Sequence, residues 1–79
     1  MFTIIRSGDR IYVKVNLPFN TKGDLFVTNM QGQTLLRKGV FEMETVEISP
    51  NVGSGLYVVT MISGKRTQSE KILMRKDYE

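Results

Sequence analysis

The chain has 79 residues, of which 41% are hydrophobic and 24% charged, and its formal net charge is +3. It contains no cysteine and no histidine, which excludes disulfide bridges, zinc sites built from Cys and His, and catalysis by a nucleophile paired with histidine. This composition is typical of one small globular domain, which we expect to span residues 1–79, with residues 77–79 frayed.

The N-terminal part of the chain predicts two strands. Residues 2–5 form the first, and residues 10–17 form the second, in which apolar and polar side chains alternate. Strict alternation is typical of a strand with one buried and one solvent-exposed face. Pro18 cannot donate a hydrogen bond to a neighbouring strand and ends the second one.

A β-hairpin is predicted next. Its strands are residues 24–29 and 33–37, and residues 38–39 close it. Gln31 and Gly32 lie between the strands, and glycine can adopt the positive φ that a two-residue turn needs.

The segment 42–48 predicts an outer or edge strand. It carries three glutamates in seven residues, and only Val46 and Ile48 are assigned to the core. Residues 67–74 predict the last strand, whose packed end is the apolar run 72–74.

The longest apolar run, from Leu56 to Ile62, predicts the central strand of the fold. β-Branched and aromatic residues dominate it, and glycine and serine bound it at both ends. Because residues of both parities are apolar, we expect both faces to be covered, with Val58 and Val59 both buried. Seven residues are too few to cross a membrane as a helix, which needs about 20, so no membrane insertion is predicted.

These segments predict an all-β fold, an immunoglobulin-like antiparallel β-sandwich of about seven strands. Turn signals recur every 8–12 residues or so, and no stretch has helical periodicity. An up-and-down barrel is the alternative, although seven strands of this length would close poorly.

No catalytic, cofactor or metal site is predicted, and no small-molecule substrate. The glutamates of residues 42–48 are expected to face solvent, and neither an Asp-x-Asp-x-Asp spacing nor a strand–GxGxxG–helix context occurs. The basic residues are scattered in pairs, which indicates solvent-exposed charge and not a nucleic-acid-binding face. Aromatic residues lie on different strands, mixed with core positions, which favours packing over base stacking.

Three segments carry a resemblance to a known family: residues 30–35 (MQGQTL), 55–59 (GLYVV) and 70–74 (EKILM). With the acidic strand between them, they resemble the C-terminal sorting domain of type IX secretion cargo, found at the end of proteins exported by Bacteroidetes, including gingipain-type proteases. The likeness covers residues 10–76. The positions that match the family motifs are Gly32, Gly55, Tyr57 and Lys71.

The chain also departs from the family pattern. Asn29 stands where the family usually has aspartate, the opening Pro-Asn-Pro segment is missing, and the tail runs past the usual basic end.

The resemblance implies a non-enzymatic address that sends an attached cargo protein across the outer membrane. Its partner would be the outer-membrane secretion machinery, and the domain would typically be removed once the cargo arrives. The protein would be exported, in the periplasm during transit and then at the outer-membrane surface or outside the cell. Candidate contact residues are the basic side chains of the last two strands and the tail: Lys65, Arg66, Lys71, Arg75 and Lys76.

A second hypothesis follows from the fold class alone. Immunoglobulin-like domains also serve as structural, adhesion or assembly modules, such as surface-fibre or capsid-decorating domains. Such a module binds a protein partner, for example through an edge strand.

Overall fold

The computed structural model describes residues 1–8, 10–48 and 53–74. The described residues form seven strands and no helix: β1 (Phe2–Ser7), β2 (Arg10–Asn16), β3 (Lys22–Asn29), β4 (Thr34–Phe41), β5 (Met43–Glu47), β6 (Gly55–Ser63) and β7 (Arg66–Met74). The predicted all-β class is confirmed. The frayed end predicted at residues 77–79 lies outside the described residues.

Two antiparallel sheets make up the sandwich. The three-stranded sheet has the order β1-β2-β5, and the four-stranded sheet has the order β4-β3-β6-β7. The chain changes sheet between β2 and β3, between β4 and β5, and between β5 and β6. The core between the sheets consists of Phe2, Ile11, Val13, Val15, Leu17, Leu25, Val27, Val40, Val46, Ile48, Tyr57, Val59, Met61, Ile72 and Met74.

Several predictions of position are confirmed. The apolar side chains of β2 are all buried, and β3 and β4 form the predicted hairpin. The strand β5 lies at an edge of the three-stranded sheet, with Val46 and Ile48 in the core.

The prediction that β4 ends at Arg37 is wrong. Its pairing with β3 continues as far as the pair Lys22 and Phe41, so residues 38–39 lie inside the strand. Lys38 is tolerated there because β4 is an edge strand and its ammonium reaches Glu44 of β5 at 3.3 Å.

The prediction that both faces of β6 are covered is also wrong. The strand is central in its sheet, between β3 and β7, but only the face that carries Val59 is fully buried. Val58 points to the outer face and is half-buried, while Leu56 and Ile62 beside it are exposed. The reason is that the described residues form two layers, so none of their strands covers the outer face. Leu73 of β7 is likewise exposed, in contrast to its neighbours in the predicted packed end.

One side of the sandwich is closed where β4 passes into β5 through a single residue, Glu42. This residue has a positive φ of 53°. Its backbone N–H donates to the carbonyl of Thr21 at 2.9 Å, and its carbonyl accepts from the N–H of Leu17 at 3.0 Å. Its carboxylate accepts from the N–H of Asn20 at 2.7 Å. The strained backbone is therefore held by three contacts to the β2–β3 loop.

The opposite side of the sandwich is closed by a side chain. Gln68 of β7 points inward, because it pairs with the buried Met61. Its carboxamide accepts from the N–H of Phe2 at 3.2 Å and donates to the carbonyl of Phe2 at 3.1 Å. One amide thus joins the edge of β1 in one sheet to β7 in the other.

The strand directions define two ends of the sandwich. At the Met1 end lie Met1, the β2–β3 loop, Glu42 and the β6–β7 turn. At the hairpin end lie the β3–β4 turn, the start of β6 and the end of β7, because Asn29 pairs with Tyr57 and Gly55 pairs with Met74.

Candidate functional site

The three segments that carry the family motifs meet at the hairpin end. Tyr57 is paired with Asn29 on one side and with Ile72 on the other, so residues 29–33, 53–57 and 71–74 are neighbours across three strands. The first two segments, 29–33 and 53–57, are far apart in the sequence. Only the register of the sheet brings them together.

Asn29 organises the β3–β4 turn. Its side-chain oxygen accepts from the N–H groups of Gln31 at 3.0 Å and Gln33 at 2.9 Å. Its amide nitrogen donates to the side-chain oxygen of Gln33 at 2.8 Å. An aspartate could accept the same two backbone hydrogen bonds, so the turn tolerates the departure from the family pattern. With asparagine, the side-chain contact to Gln33 becomes a neutral amide pair.

The turn holds three residues, not the predicted two. The backbone N–H of Asn29 donates to the carbonyl of Gln33, and the N–H of Gly32 donates to the carbonyl of Asn29. Gly32 has a φ of 89°, which confirms the prediction that it adopts a positive φ. A turn followed by a left-handed glycine is the usual form of a three-residue hairpin loop. The extra residue is accompanied by a register shift between Val27 and Thr28.

Gly55 and Tyr57 hold the start of β6. The buried Tyr57 hydroxyl donates to the carbonyl of Gly53 at 2.9 Å. Its ring lies beside Gly55, whose φ of 148° disfavours any residue with a side chain. The Gly-x-Tyr motif therefore has a structural role, which is to fix the chain as it enters β6.

The side chains between these structural residues are exposed. Met30, Leu56 and Leu73 are 53%, 47% and 44% exposed, and Leu56 is paired with Leu73 across the sheet. A shallow cleft of about 270 Å³ separates the turn from the start of β6, lined by residues 29–31 and 54–57. The motif residues thus support a small surface of apolar and amide side chains at the hairpin end.

The three predicted basic contact residues that the structure describes do not lie in one patch. Lys65 lies in the β6–β7 turn and Arg66 begins β7, both at the Met1 end. Lys71 pairs with Val58 on the outer face, nearer the hairpin end. Five residues of extended strand place Lys71 about 16 Å from Arg66. Arg75 and Lys76 lie outside the described residues.

A larger cleft of about 600 Å³ lies at the Met1 end, lined by residues 22–24 and 39–41 with Glu44, Ile62 and Gly64. Of its two carboxylates, Glu44 is engaged by Lys38. Of these two, Asp24 alone has no ion pair with a described residue, so the described lining offers one unpaired carboxylate and not the two that acid–base hydrolysis uses.

Other site types find no support in the described residues. No group of three or more acidic side chains in residues 1–8, 10–48 and 53–74 could hold a metal ion. That part of the chain also has no helix long and apolar enough to span a membrane.

Sequence reasoning missed the roles of Asn29, Glu42 and Gln68. Asparagine three residues before a turn glycine is a usable signal, because its side chain often accepts from the backbone two residues on. Gln68 shares the parity of Ile72 and Met74, which places it on the inner face, but its contact with Phe2 depends on a separation of 66 residues.

Comparison with known families gives one match. A family model described as "Secretion system C-terminal sorting domain" matches residues 7–75, nearly the whole chain. A search of curated proteins finds no match.

Proposed function

Since the chain belongs to the family of type IX secretion C-terminal sorting domains, we propose that it directs an attached cargo protein through the periplasm and across the outer membrane. The family is a non-catalytic sorting signal that marks a secreted protein for the cell surface or the exterior, and it is recognised by the secretion machinery. The domain itself then acts as an address and not as an enzyme.

The observation that carries this proposal is the arrangement of the hairpin end. Three motif-bearing segments converge there, and their structural residues leave Met30, Leu56 and Leu73 exposed. The polypeptide begins β1 at the Met1 end, about 25–30 Å away along strands of eight or nine residues. A cargo joined before Met1 therefore leaves the hairpin end free for the machinery.

Charge adds a second element to the proposal. Lys71 lies on the outer face beside the exposed Leu56 and Leu73, so it can contact a partner that covers the hairpin end. Arg75 and Lys76 follow Met74 in the sequence and belong to the same proposed contact. Lys65 and Arg66 lie at the Met1 end and provide a matched comparison.

The test is export of a reporter enzyme in a bacterium that carries type IX machinery. Residues 1–79 are fused behind a signal peptide, the reporter and a Pro-Asn-Pro lead-in. We expect the reporter at the cell surface or in the medium. Retention in the periplasm would refute sorting and leave the structural, adhesion or assembly module as the better hypothesis.

Charge reversal then locates the contact. We expect Lys71→Glu to reduce export several-fold, whereas the double change Lys65→Glu and Arg66→Glu leaves it nearly unchanged. All three side chains are exposed, so stability should change by less than about 0.5 kcal/mol per substitution, which thermal melting checks. A larger loss from the pair at the Met1 end would contradict the assignment of the hairpin end.

A further inference from the structure

The outer edge of β1 carries backbone N–H and C=O groups that point away from β2. Both the N–H and the C=O of Phe2 are bound by Gln68, so they point away from β2. Backbone groups alternate in direction along a strand, so those of Ile4 and Arg6 point the same way. They have no hydrogen-bond partner among the described residues.

No described strand lies beside this edge of the three-stranded sheet. One sheet has three strands and the other has four. Packed sheets lie about 10 Å apart, so a glutamine of β7 can reach the backbone of Phe2 only if β7 lies opposite the outer edge of β1. The carboxamide of Gln68 therefore makes the two hydrogen bonds to Phe2 that the N–H and C=O of one residue in an added antiparallel strand would make.

Next to Gln68, the inward face of β7 carries a charged side chain, Glu70. Glu70 follows Gln68 by two residues and shares its inward face, because it pairs with the buried Val59. Its carboxylate is exposed and forms no ion pair with any described residue. An added strand would place one of its inward side chains above this carboxylate.

We propose that the outer edge of β1 binds an extended peptide segment, which adds to the three-stranded sheet as a fourth strand and presents a basic side chain to Glu70. Strand addition of this kind takes its affinity from main-chain hydrogen bonds and its specificity from alternate side chains. The site is separate from the hairpin end, and this inference does not depend on the proposed sorting function.

The probe is a synthetic seven-residue peptide of alternating threonine and valine with a central lysine. Its lysine and valines share one face, which suits Glu70 and the apolar side chains of β1. Amide hydrogen exchange of the full 79-residue chain, followed by NMR, is the measurement. At a peptide concentration about ten times the Kd, we expect exchange of the Ile4 and Arg6 amides to slow about tenfold.

Two control peptides separate backbone pairing from side-chain contacts. A peptide with glutamate in place of lysine should bind at least several-fold more weakly. A lysine peptide that is N-methylated on alternate amides should give no protection, because it cannot pair with β1. Equal binding of the lysine and glutamate peptides, or protection by the N-methylated one, would overturn the proposal.

A matched pair of variants tests the edge itself. Arg6→Pro removes the outward N–H, which β2 does not use, whereas Arg6→Ala removes only the side chain. We expect the proline variant to lose most of the binding and the alanine variant to keep it, with both melting as folded domains. Equal affinity of the two variants would refute the site. So would protection of the β4 or β5 edge instead, or protection of β1 by self-association without peptide.

Discussion

The two faces of the four-stranded sheet differ in burial far more than in composition. On the inner face, Val59 and Met61 of β6 are completely buried. On the outer face of the same strand, Leu56 and Ile62 are 47% and 41% exposed. Apolar residues in a strand therefore indicate a buried face only where a second layer of the fold covers that face. An apolar outer face in a two-layer fold is a surface, and here it lies beside the motif-bearing hairpin end.

The strongest test of this contrast is a charge on each face of β6. Val59→Asp puts an unpaired carboxylate in the core, which costs several kcal/mol, and we expect the domain to be unfolded at room temperature. Val58→Asp places its carboxylate on the half-buried outer face, where water reaches it, so the domain should remain folded with a lower Tm. Circular dichroism distinguishes the two. Loss of folding in both variants would mean that the outer face is covered after all.

A truncation on β7 makes the same comparison with a smaller effect. Ile72 is buried and Leu73 is exposed, although the two are adjacent. We expect Ile72→Ala to reduce the free energy of unfolding by about 2–4 kcal/mol, because it leaves a cavity in the core. Leu73→Ala should cost less than about 1 kcal/mol, since its side chain is already half in water. Urea denaturation measures both, and equal losses would contradict the assignment of faces.

The smallest expected effect concerns backbone conformation instead of either face. Gly32 has a positive φ and no atom within 4 Å of the position of a Cβ, so only strain opposes a side chain there. Gly32→Val should cost more than about 1 kcal/mol, and Gly32→Asn should cost less, because asparagine tolerates this conformation. Thermal melting of the two variants is the measurement. If valine and asparagine have the same effect, the turn adopts another conformation in solution.

What could be predicted from the sequence was local. Alternation in β2 identified its buried face, and Gly32 identified the hairpin turn with its positive φ. Asn29 and Gly32 together could also have given the three-residue loop. The alternation of side chains along a strand does not show how many layers pack against its sheet, however. The apolar run of β6 was therefore predicted to have two covered faces, whereas it has one.

What could not be predicted depends on contacts between distant residues. The continuation of β4 past Lys38 depends on backbone pairing with residues 22–25 of β3, and the contact of Gln68 with Phe2 spans 66 residues. The convergence of the candidate site likewise depends on the register of β3, β6 and β7. The basic residues are a different case, because the five-residue spacing along one extended strand already separates Arg66 from Lys71.

The opposite placement of Met1 and the hairpin end has a mechanical consequence. A force applied between a cargo at Met1 and a partner at the hairpin end would act parallel to the strands. The six residue pairs that join β1, the strand attached to the cargo, to β2, from Phe2 with Val15 to Ser7 with Arg10, would then carry the load together in shear. Strands loaded lengthwise cannot separate one hydrogen bond at a time, so the domain would stay folded as a handle while the cargo is pulled.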